Sequence, residues 1–532
     1  MYWQPRRAWP VWFRAIWIGL ILSGGCTTGA RQWARQGFKV GPDYTAPPAT
    51  ASERWLAGGT DAVNDRQSLD GAWWAVFDDP VLDGLIARAS EQNLGFQQSA
   101  ARIWEARARL DIAQGNLFPQ MQEATGGYTR IQRSRTTSRA VRIPFFDDWS
   151  TGLNASWEWD LWGRYRRSIE SASADFQAAT EDHHDVLLLL QAEVAHAYIQ
   201  TRIFQERRDL ALQNVALQER TLELAELRFR EGRVTKLDVT QAREQLATTR
   251  ALVPQLEIGL RESQNALCVL LGVPPYDLAS ELGSGPIPAA PAEVVVGIPA
   301  QLLTRRPDIR QAERLVAAQS ARIGIAESEL YPRIAITGML GYESRNLSSL
   351  FTTESFIGSV GPGFRWNILN YGRIRGSIRA EEARLDQLVL QYQERVLQAH
   401  EEVETGLERF LREQERVEHL AASVAAAEES AKLAEAQYEI GRVDFQRLVD
   451  SERALVQRQD QLTASRGEVA RHLVAVYTAL GGGWQTDSAP RRQFSVASRA
   501  VDVPQEAEEG EEAEEAVESE PLLLDADLLD DP

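Results

Sequence analysis

The residue types that most often carry out chemistry are sparse in this chain and are poorly spaced for it. Its 532 residues include six His and two Cys, too few for a Cys-based zinc site or a disulfide framework. The adjacent His183–His184 would leave a helix in different directions, and His400–Glu404 lacks the second His of a zinc-protease helix. Gly481–Gly483 is followed by no Lys-Ser/Thr pair, so it is no phosphate loop. The sequence therefore predicts no metal site, no cofactor and no enzyme.

The charge of the chain is concentrated at one end. The formal net charge is −19, of which residues 501–532 carry −14, because they hold five Asp and nine Glu with no Lys or Arg. An acidic chain is a poor partner for nucleic acid. The composition of the tail predicts disorder.

The first 26 residues read as an export signal. Arg6 and Arg7 precede an apolar stretch over Val11–Ser23, and the small residues that follow end at Cys26. A Cys in this place resembles a bacterial lipoprotein signal, which predicts removal of residues 1–25 and lipidation of Cys26. An ordinary signal peptide with an unrelated Cys is the alternative. One acyl chain binds membranes only marginally, so lipidation alone would not anchor the protein.

The chain repeats itself at a spacing near 209 residues. The matching segments keep the same order in both halves and include Phe118-Pro119 with Tyr331-Pro332, Gly127-Tyr128 with Gly341-Tyr342, Gly163-Arg164 with Gly372-Arg373, Gly232-Arg233-Val234 with Gly441-Arg442-Val443, and Leu271-Gly272 with Leu480-Gly481. Each half therefore predicts the same order of elements: a helix, two strands and two long helices.

The predicted helices are long and amphipathic. They cover about Leu85–Gln114, Arg164–Arg230 and Thr235–Leu271 in the first half, and Pro307–Leu330, Arg373–Glu439 and Asp444–Leu480 in the second. Apolar residues recur along them at three and four residues, with Arg, Glu and Gln elsewhere, which predicts coiled-coil-like packing in water. On periodicity alone, a coiled-coil scaffold without a pore remains an open alternative.

Four shorter segments alternate polar and apolar residues, as strands do: about 119–131, 153–161, 333–343 and 355–368. About nine to eleven residues suffice to cross a bilayer as a tilted strand. Four strands cannot close a transmembrane barrel, since the smallest have about eight, and lipid does not tolerate open edges. Three chains would supply twelve strands. A hairpin covering a soluble core is the alternative for each segment taken alone.

A set of short motifs, in order along residues 38–485, resembles the outer-membrane efflux factor family, the TolC-like channels, in its NodT-type lipoprotein branch. The motifs are Val40–Tyr44, Trp73-Trp74 with Phe77 and Asp79-Pro80, Trp159–Arg164, Arg305–Ile309, Tyr331-Pro332 and Ala479–Trp484. The resemblance implies a mainly α fold with a small β part: a homotrimer with one shared transmembrane β-barrel and a long helical barrel in the periplasm.

The resemblance also implies the function. The protein would be a passive exit duct in the outer membrane, coupled through a periplasmic adaptor to an inner-membrane pump, with no catalytic site. Whether the cargo is a drug, a metal or a secreted product stays open. The domains would be 1–25 (signal), 26–78 (lipidated linker), 79–275 (first repeat), 276–304 (equatorial linker), 305–484 (second repeat) and 485–532 (C-terminal segment).

Two glycines and one helix face are the candidate site. Gly232 and Gly441 allow the left-handed backbone at a tight helix end, so two hairpin tips are expected there, and the resemblance implies that they meet the adaptor. A plain turn between helices is the alternative. The tip residues are Gly232, Arg233, Val234, Thr235, Gly441, Arg442, Val443 and Asp444.

Just beyond the second tip, Gln446, Asp450 and Arg453 share one helix face. The resemblance implies that this face lines the periplasmic aperture, where threefold symmetry would make rings that set ion selectivity and gate through salt bridges. Gln446 stands where the family often has an apolar residue, which favours a polar closure. A solvated helix face is the alternative.

Overall fold

The computed structural model describes residues 29–49, 52, 54–56, 63–64, 71–132, 145–297, 299 and 305–484. The signal segment, Cys26 and the acidic tail lie outside these residues. The predictions made for them stay predictions.

The described helices follow the predicted repeat. They are α1 (Ala30–Arg35), α2 (Pro80–Gln92), α3 (Leu94–Gly115), α4 (Arg164–Arg230), α5 (Lys236–Leu270), α6 (Ala279–Leu282), α7 (Pro307–Ser328), α8 (Arg373–Glu439) and α9 (Phe445–Ala479). The two longest, α4 and α8, have 67 residues each, and α5 and α9 have 35 each. A helix of 67 residues is about 100 Å long.

One predicted helix, Leu85–Gln114, is two helices in the structure. The break falls at Asn93, which has an extended backbone (ψ 126°). Its side chain accepts a hydrogen bond from the backbone N–H of Phe96 at 2.8 Å and donates one to the carbonyl of Leu270 at 2.9 Å. Asn is a preferred residue at a helix start because its side chain satisfies a free backbone N–H. The interruption is therefore a helix cap fixed by a distant contact.

The helices pack side by side in a row. In the part nearest the sheet, α3 contacts α4, α4 contacts α7, and α7 contacts α8. Further along, α5 packs on α4, and α9 packs on both α4 and α8. There α9 takes the position between α4 and α8 that α7 occupies nearer the sheet. The largest fully buried side chains include Trp73, Tyr198 and Phe410, which belong to one continuous core cluster. The row of helices is thus held by a single apolar core over much of its length.

The strands of the described residues form two sheets. Val63–Asn64 (β1) and Val294–Val295 (β4) make a short parallel pair. The larger sheet is antiparallel in the order β2 (Met121–Gln132), β3 (Phe145–Trp159), β5 (Arg333–Ser344) and β6 (Phe356–Arg365). The predicted second strand, 153–161, begins eight residues earlier, at Phe145. Over the described residues, β2 and β6 each pair on one side only, so both outer edges of this sheet are open.

The two faces of the large sheet differ in polarity. The strand register places most of the large apolar residues on one face, since neighbours opposite each other point the same way. That face carries Tyr128, Trp149, Leu153, Trp157, Ile336, Leu340, Tyr342, Val360 and Phe364, and the other carries Glu123, Thr125, Asn154, Ser156, Thr337, Glu343 and Ser359. Several of the apolar side chains are exposed, with Val360 at 81% and Phe364 at 77%. One apolar face therefore lacks cover from the described part of the chain.

Across the described ranges, every helix is too short or too polar to span a membrane. The predicted fold class, mainly α with a small β part and an internal repeat, is confirmed.

Candidate functional site

The hairpin tips are built by two glycines in the left-handed region. Gly232 has φ +71° and Gly441 has φ +75°. At the first tip the N–H of Gly232 bonds to the carbonyl of Phe229 at 3.0 Å, and the N–H of Arg233 bonds to the carbonyl of Arg228 at 2.9 Å. This pair of bonds is the Schellman helix end. The second tip repeats it, with Gly441 and Arg442 bonded to the carbonyls of Tyr438 and Gln437.

The helix that follows each tip is capped by a side chain. At the first tip, Thr235 and Asp238 form a reciprocal capping box, in which the Asp238 carboxylate accepts from the Thr235 N–H at 2.8 Å. At the second, the Asp444 carboxylate accepts from the N–H of Arg447 at 3.1 Å. The predicted tip residues are exposed except Val234 and Val443, which are half-buried.

The two valines pack on a small apolar cluster that joins the tips. Its buried members are Ala225, Val239, Ala242, Ala434, Tyr438, Phe445, Leu448 and Val449. The Arg228 guanidinium lies 4.3 Å from the centre of the Tyr438 ring and donates to the carbonyls of Tyr438 and Glu439 at 2.5 Å each. A cation at a helix C-terminus is favourable because the free carbonyls there are negative. Arg228 therefore ties the first hairpin to the end of α8.

The three predicted aperture residues lie on the exposed face of α9 and bond differently from one another. The Gln446 amide donates to the Asp450 carboxylate at 2.9 Å and accepts from the amide of Gln241 at 3.0 Å. Arg453 donates to Gln245 at 3.0 Å and to Glu244 at 3.3 Å. Within one chain, Arg453 is therefore paired with α5, and Asp450 is paired with Gln446.

Sequence reasoning missed a polar seam between the two hairpins. Residues 207, 214, 221 and 228 of α4 are spaced by seven, and each bonds to the second hairpin. The bonds are Arg207 to Asp460 at 2.7 and 3.0 Å, Asn214 to Gln459 at 3.2 Å, Thr221 to Glu452 at 2.7 Å, and Arg228 as above. The heptad spacing of polar residues on α4 was the available signal. Burial raises the pKa of Glu452, against the opposing effect of its bond from Thr221.

The comparisons with known proteins agree with this geometry. The family model described as "Outer membrane efflux protein" matches residues 85–273 and 298–482. The chain belongs to this outer membrane efflux protein family. Nodulation protein T of Rhizobium leguminosarum bv. trifolii is 31% identical over 84% of this chain and 95% of its own length. The pyoverdine export outer membrane protein OpmQ of Pseudomonas aeruginosa is 30% identical over 82% of this chain and 92% of its own.

A solved outer-membrane channel has the same fold. The structure of OprN superimposes with a TM-score of 0.78 at 34% identity, covering 84% of this chain and 99% of OprN. The resemblance drawn from the sequence motifs is confirmed, and so are the localisation in the outer membrane and the assignment as a channel protein of efflux and not an enzyme. As an outer membrane efflux protein, the chain is a component of an export route.

Proposed function

We propose that three copies of this chain form the exit duct of a tripartite export system, passing small molecules passively from the periplasm to the exterior. The observation that carries the proposal is the large sheet, which lies at one end of helices about 100 Å long. Both described edges of this sheet are unpaired, and its apolar face is exposed. Lipid requires every backbone group to be bonded, and edge-to-edge joining of three sheets meets that requirement. Lipidation of Cys26 would add a second attachment to the outer membrane.

The partners in this proposal are a second and third copy, a periplasmic adaptor and an inner-membrane pump. The adaptor would contact the tips at Gly232–Thr235 and Gly441–Asp444, where backbone and side chains are largely exposed. The rigid Schellman ends and caps support this role, because they hold the exposed residues in one shape. Two copies of the tip in each chain would present six such ends in a trimer.

The same proposal places the gate at Gln446, Asp450 and Arg453. Threefold symmetry would convert each into a ring, and charged rings at a constriction control conductance. Glu244 and Gln245 hold Arg453 against α5, which supports a gate closed by polar contacts between neighbouring hairpins.

Single-channel conductance in planar bilayers tests this gate. We expect Asp450→Ala and Arg453→Ala each to raise conductance or open probability, because each removes a polar contact of the closed aperture. The matched control is Arg458→Ala on the same helix, since Arg458 is exposed and bonds to Gln461 one turn away. Mutant channels that conduct like the wild type would remove the gate from these residues. A chain that forms no channel and needs no detergent would instead contradict the duct.

A further inference from the structure

Two aromatic side chains at the junction of sheet and helices are unusually exposed. Tyr371, just before α8, is 95% exposed, and Phe118, just after α3, is 66% exposed. Beside Tyr371, Ile368 and Leu369 are 71% and 78% exposed. Tyr371 also has φ +49°, a conformation that bulky residues rarely adopt. An exposed apolar group of this kind marks a contact surface.

The internal repeat shows what this surface would contact. Trp157 donates from Nε1 to the carbonyl of Leu117 at 3.2 Å. Trp366, its counterpart in the second repeat, donates from Nε1 to the carbonyl of Leu330 at 2.9 Å. In both halves, the same bond thus joins a Trp near the end of a strand to the segment that follows the preceding helix. The two halves therefore share contacts as well as sequence.

The junction between the two repeats inside one chain is an aromatic stack. The Trp162 ring stacks on Tyr331 with centres 4.5 Å apart and planes inclined by 20°. Trp162 also donates from Nε1 to the carbonyl of Pro332 at 2.8 Å. This contact connects the start of α4 to the end of α7. The segment 33–40 packs over the Trp162 ring, and the centres of the Trp33 and Trp162 rings are 5.5 Å apart.

The second repeat also has an aromatic residue at the position of Trp162, but within the described chain no ring stacks on it as Tyr331 stacks on Trp162. Gly163 corresponds to Gly372, so Tyr371 occupies the position of Trp162, and Phe118-Pro119 corresponds to Tyr331-Pro332. Tyr371 lies at the α8 edge of the helix row and Phe118 at the α3 edge, just as β6 and β2 are the two edges of the sheet. These two residues can therefore meet only between copies of the chain.

We infer that Tyr371 of one chain stacks on Phe118 of a second copy, as Trp162 stacks on Tyr331 within one chain. The exposed side chains of Ile368 and Leu369 extend the apolar contact. The stack fixes the angle at which two sheets meet, so it aligns β6 with β2 of the neighbour. The inference rests on the proposed trimer and assigns residues to its interface.

Thiol cross-linking tests the contact in the full-length protein in detergent. The Phe118→Cys, Tyr371→Cys double variant is treated with a short thiol-specific cross-linker, and the products are separated by denaturing electrophoresis. We expect covalent dimers and trimers. The wild type controls for Cys26 and Cys268, the latter being buried. Phe118→Cys with Leu433→Cys is the matched control, since Leu433 is exposed on α8 but about 90 Å further along the helix, and it should give no cross-link.

A second readout separates the stack from the trimer itself. Tyr371→Ala should lower the temperature at which the oligomer dissociates in detergent, whereas Tyr371→Trp, which copies the first repeat, should keep or raise it. Trimers that do not cross-link at 118 and 371, or that ignore both substitutions, would overturn the stack and leave the duct standing. A monomer in detergent would overturn the duct and the stack together.

Discussion

At the scale of single residues, a pair of opposite charges, Arg306 and Asp308, is buried where α7 begins and α9 ends. Arg306 bonds to Asp308 at 2.8 and 3.0 Å, to Glu402 at 2.6 Å and to the carbonyl of Ala479 at 2.9 Å. Asp185 faces this group from α4. Burial first, and then the charge of Asp308, raises the pKa of Asp185 to about 6, and the opposing effects of Arg306 and Arg395 are smaller.

We expect Asp185→Asn to stabilise the protein at neutral pH and to have little effect in acid. The raised pKa means that ionisation of this carboxyl is less favourable in the folded chain than in the unfolded chain. Its destabilising effect is absent below the ordinary pKa of 3.8 and complete above about 6. A shift of this size corresponds to at most about 3 kcal/mol. Thermal melts followed by helical circular dichroism at pH 4 and pH 7.5 would measure it.

The exposed Asp386 on α8 supplies the control. Asp386→Asn should change stability by no more than about 0.5 kcal/mol at either pH. An Asp185→Asn effect that is equal at both pH values would contradict the proposed cause.

At the scale of elements, the hairpin tips depend on backbone chirality. Gly232 and Gly441 have no neighbouring atom within 4 Å of an added Cβ, so space does not require glycine there. Their positive φ does, because an L side chain is strained in the left-handed region. The seam above the tips depends on packing, since its polar residues bond only when α4 lies in register with α8 and α9.

We expect Gly232→Ala to destabilise the protein by about 1 kcal/mol, because alanine must adopt φ +71° there. Gly84→Ala is the matched control. Gly84 lies inside α2 with nothing within 4 Å of an added Cβ, so alanine should stabilise that helix by about 0.5–1 kcal/mol. The melting temperatures of the two variants should therefore move in opposite directions. Equal shifts would show that conformation at the tip is not the cause.

At the scale of the whole molecule, the apolar face of the sheet decides where the protein resides. Val360 and Ser359 are neighbours on β6 but lie on opposite faces. In the proposed duct, Val360 faces lipid and Ser359 faces the interior. Arginine substitutions at these two neighbouring positions therefore test the orientation of the sheet with almost the same change in sequence.

We expect Val360→Arg to impair membrane insertion and Ser359→Arg to be tolerated. A charge on the lipid face of a barrel costs about 2–4 kcal/mol near the bilayer midplane, whereas a charge in a water-filled interior costs little. The amount of each variant in purified outer membranes measures this. Equal tolerance of the two arginines would contradict the proposed orientation, and the reverse order would invert it.

The sequence by itself determined the repeat, the strand faces, and the lengths of α4, α5, α8 and α9. These features depend on local rules: the period of apolar residues, the alternation along a strand and the need for glycine at positive φ. The same rules placed Gln446, Asp450 and Arg453 on one helix face. Local periodicity is repeated many times along a long element, so it can be read without knowledge of the fold.

The tertiary structure alone decided which side chains meet. Three hydrogen bonds show this, because each joins residues more than 170 positions apart. They are Arg453 to Gln245, Thr221 to Glu452, and Asn93, where the helix breaks, to Leu270. Such contacts depend on the rotation and axial shift of one helix against another. Many alternative packings satisfy the same apolar period, and the sum of all core contacts selects one of them.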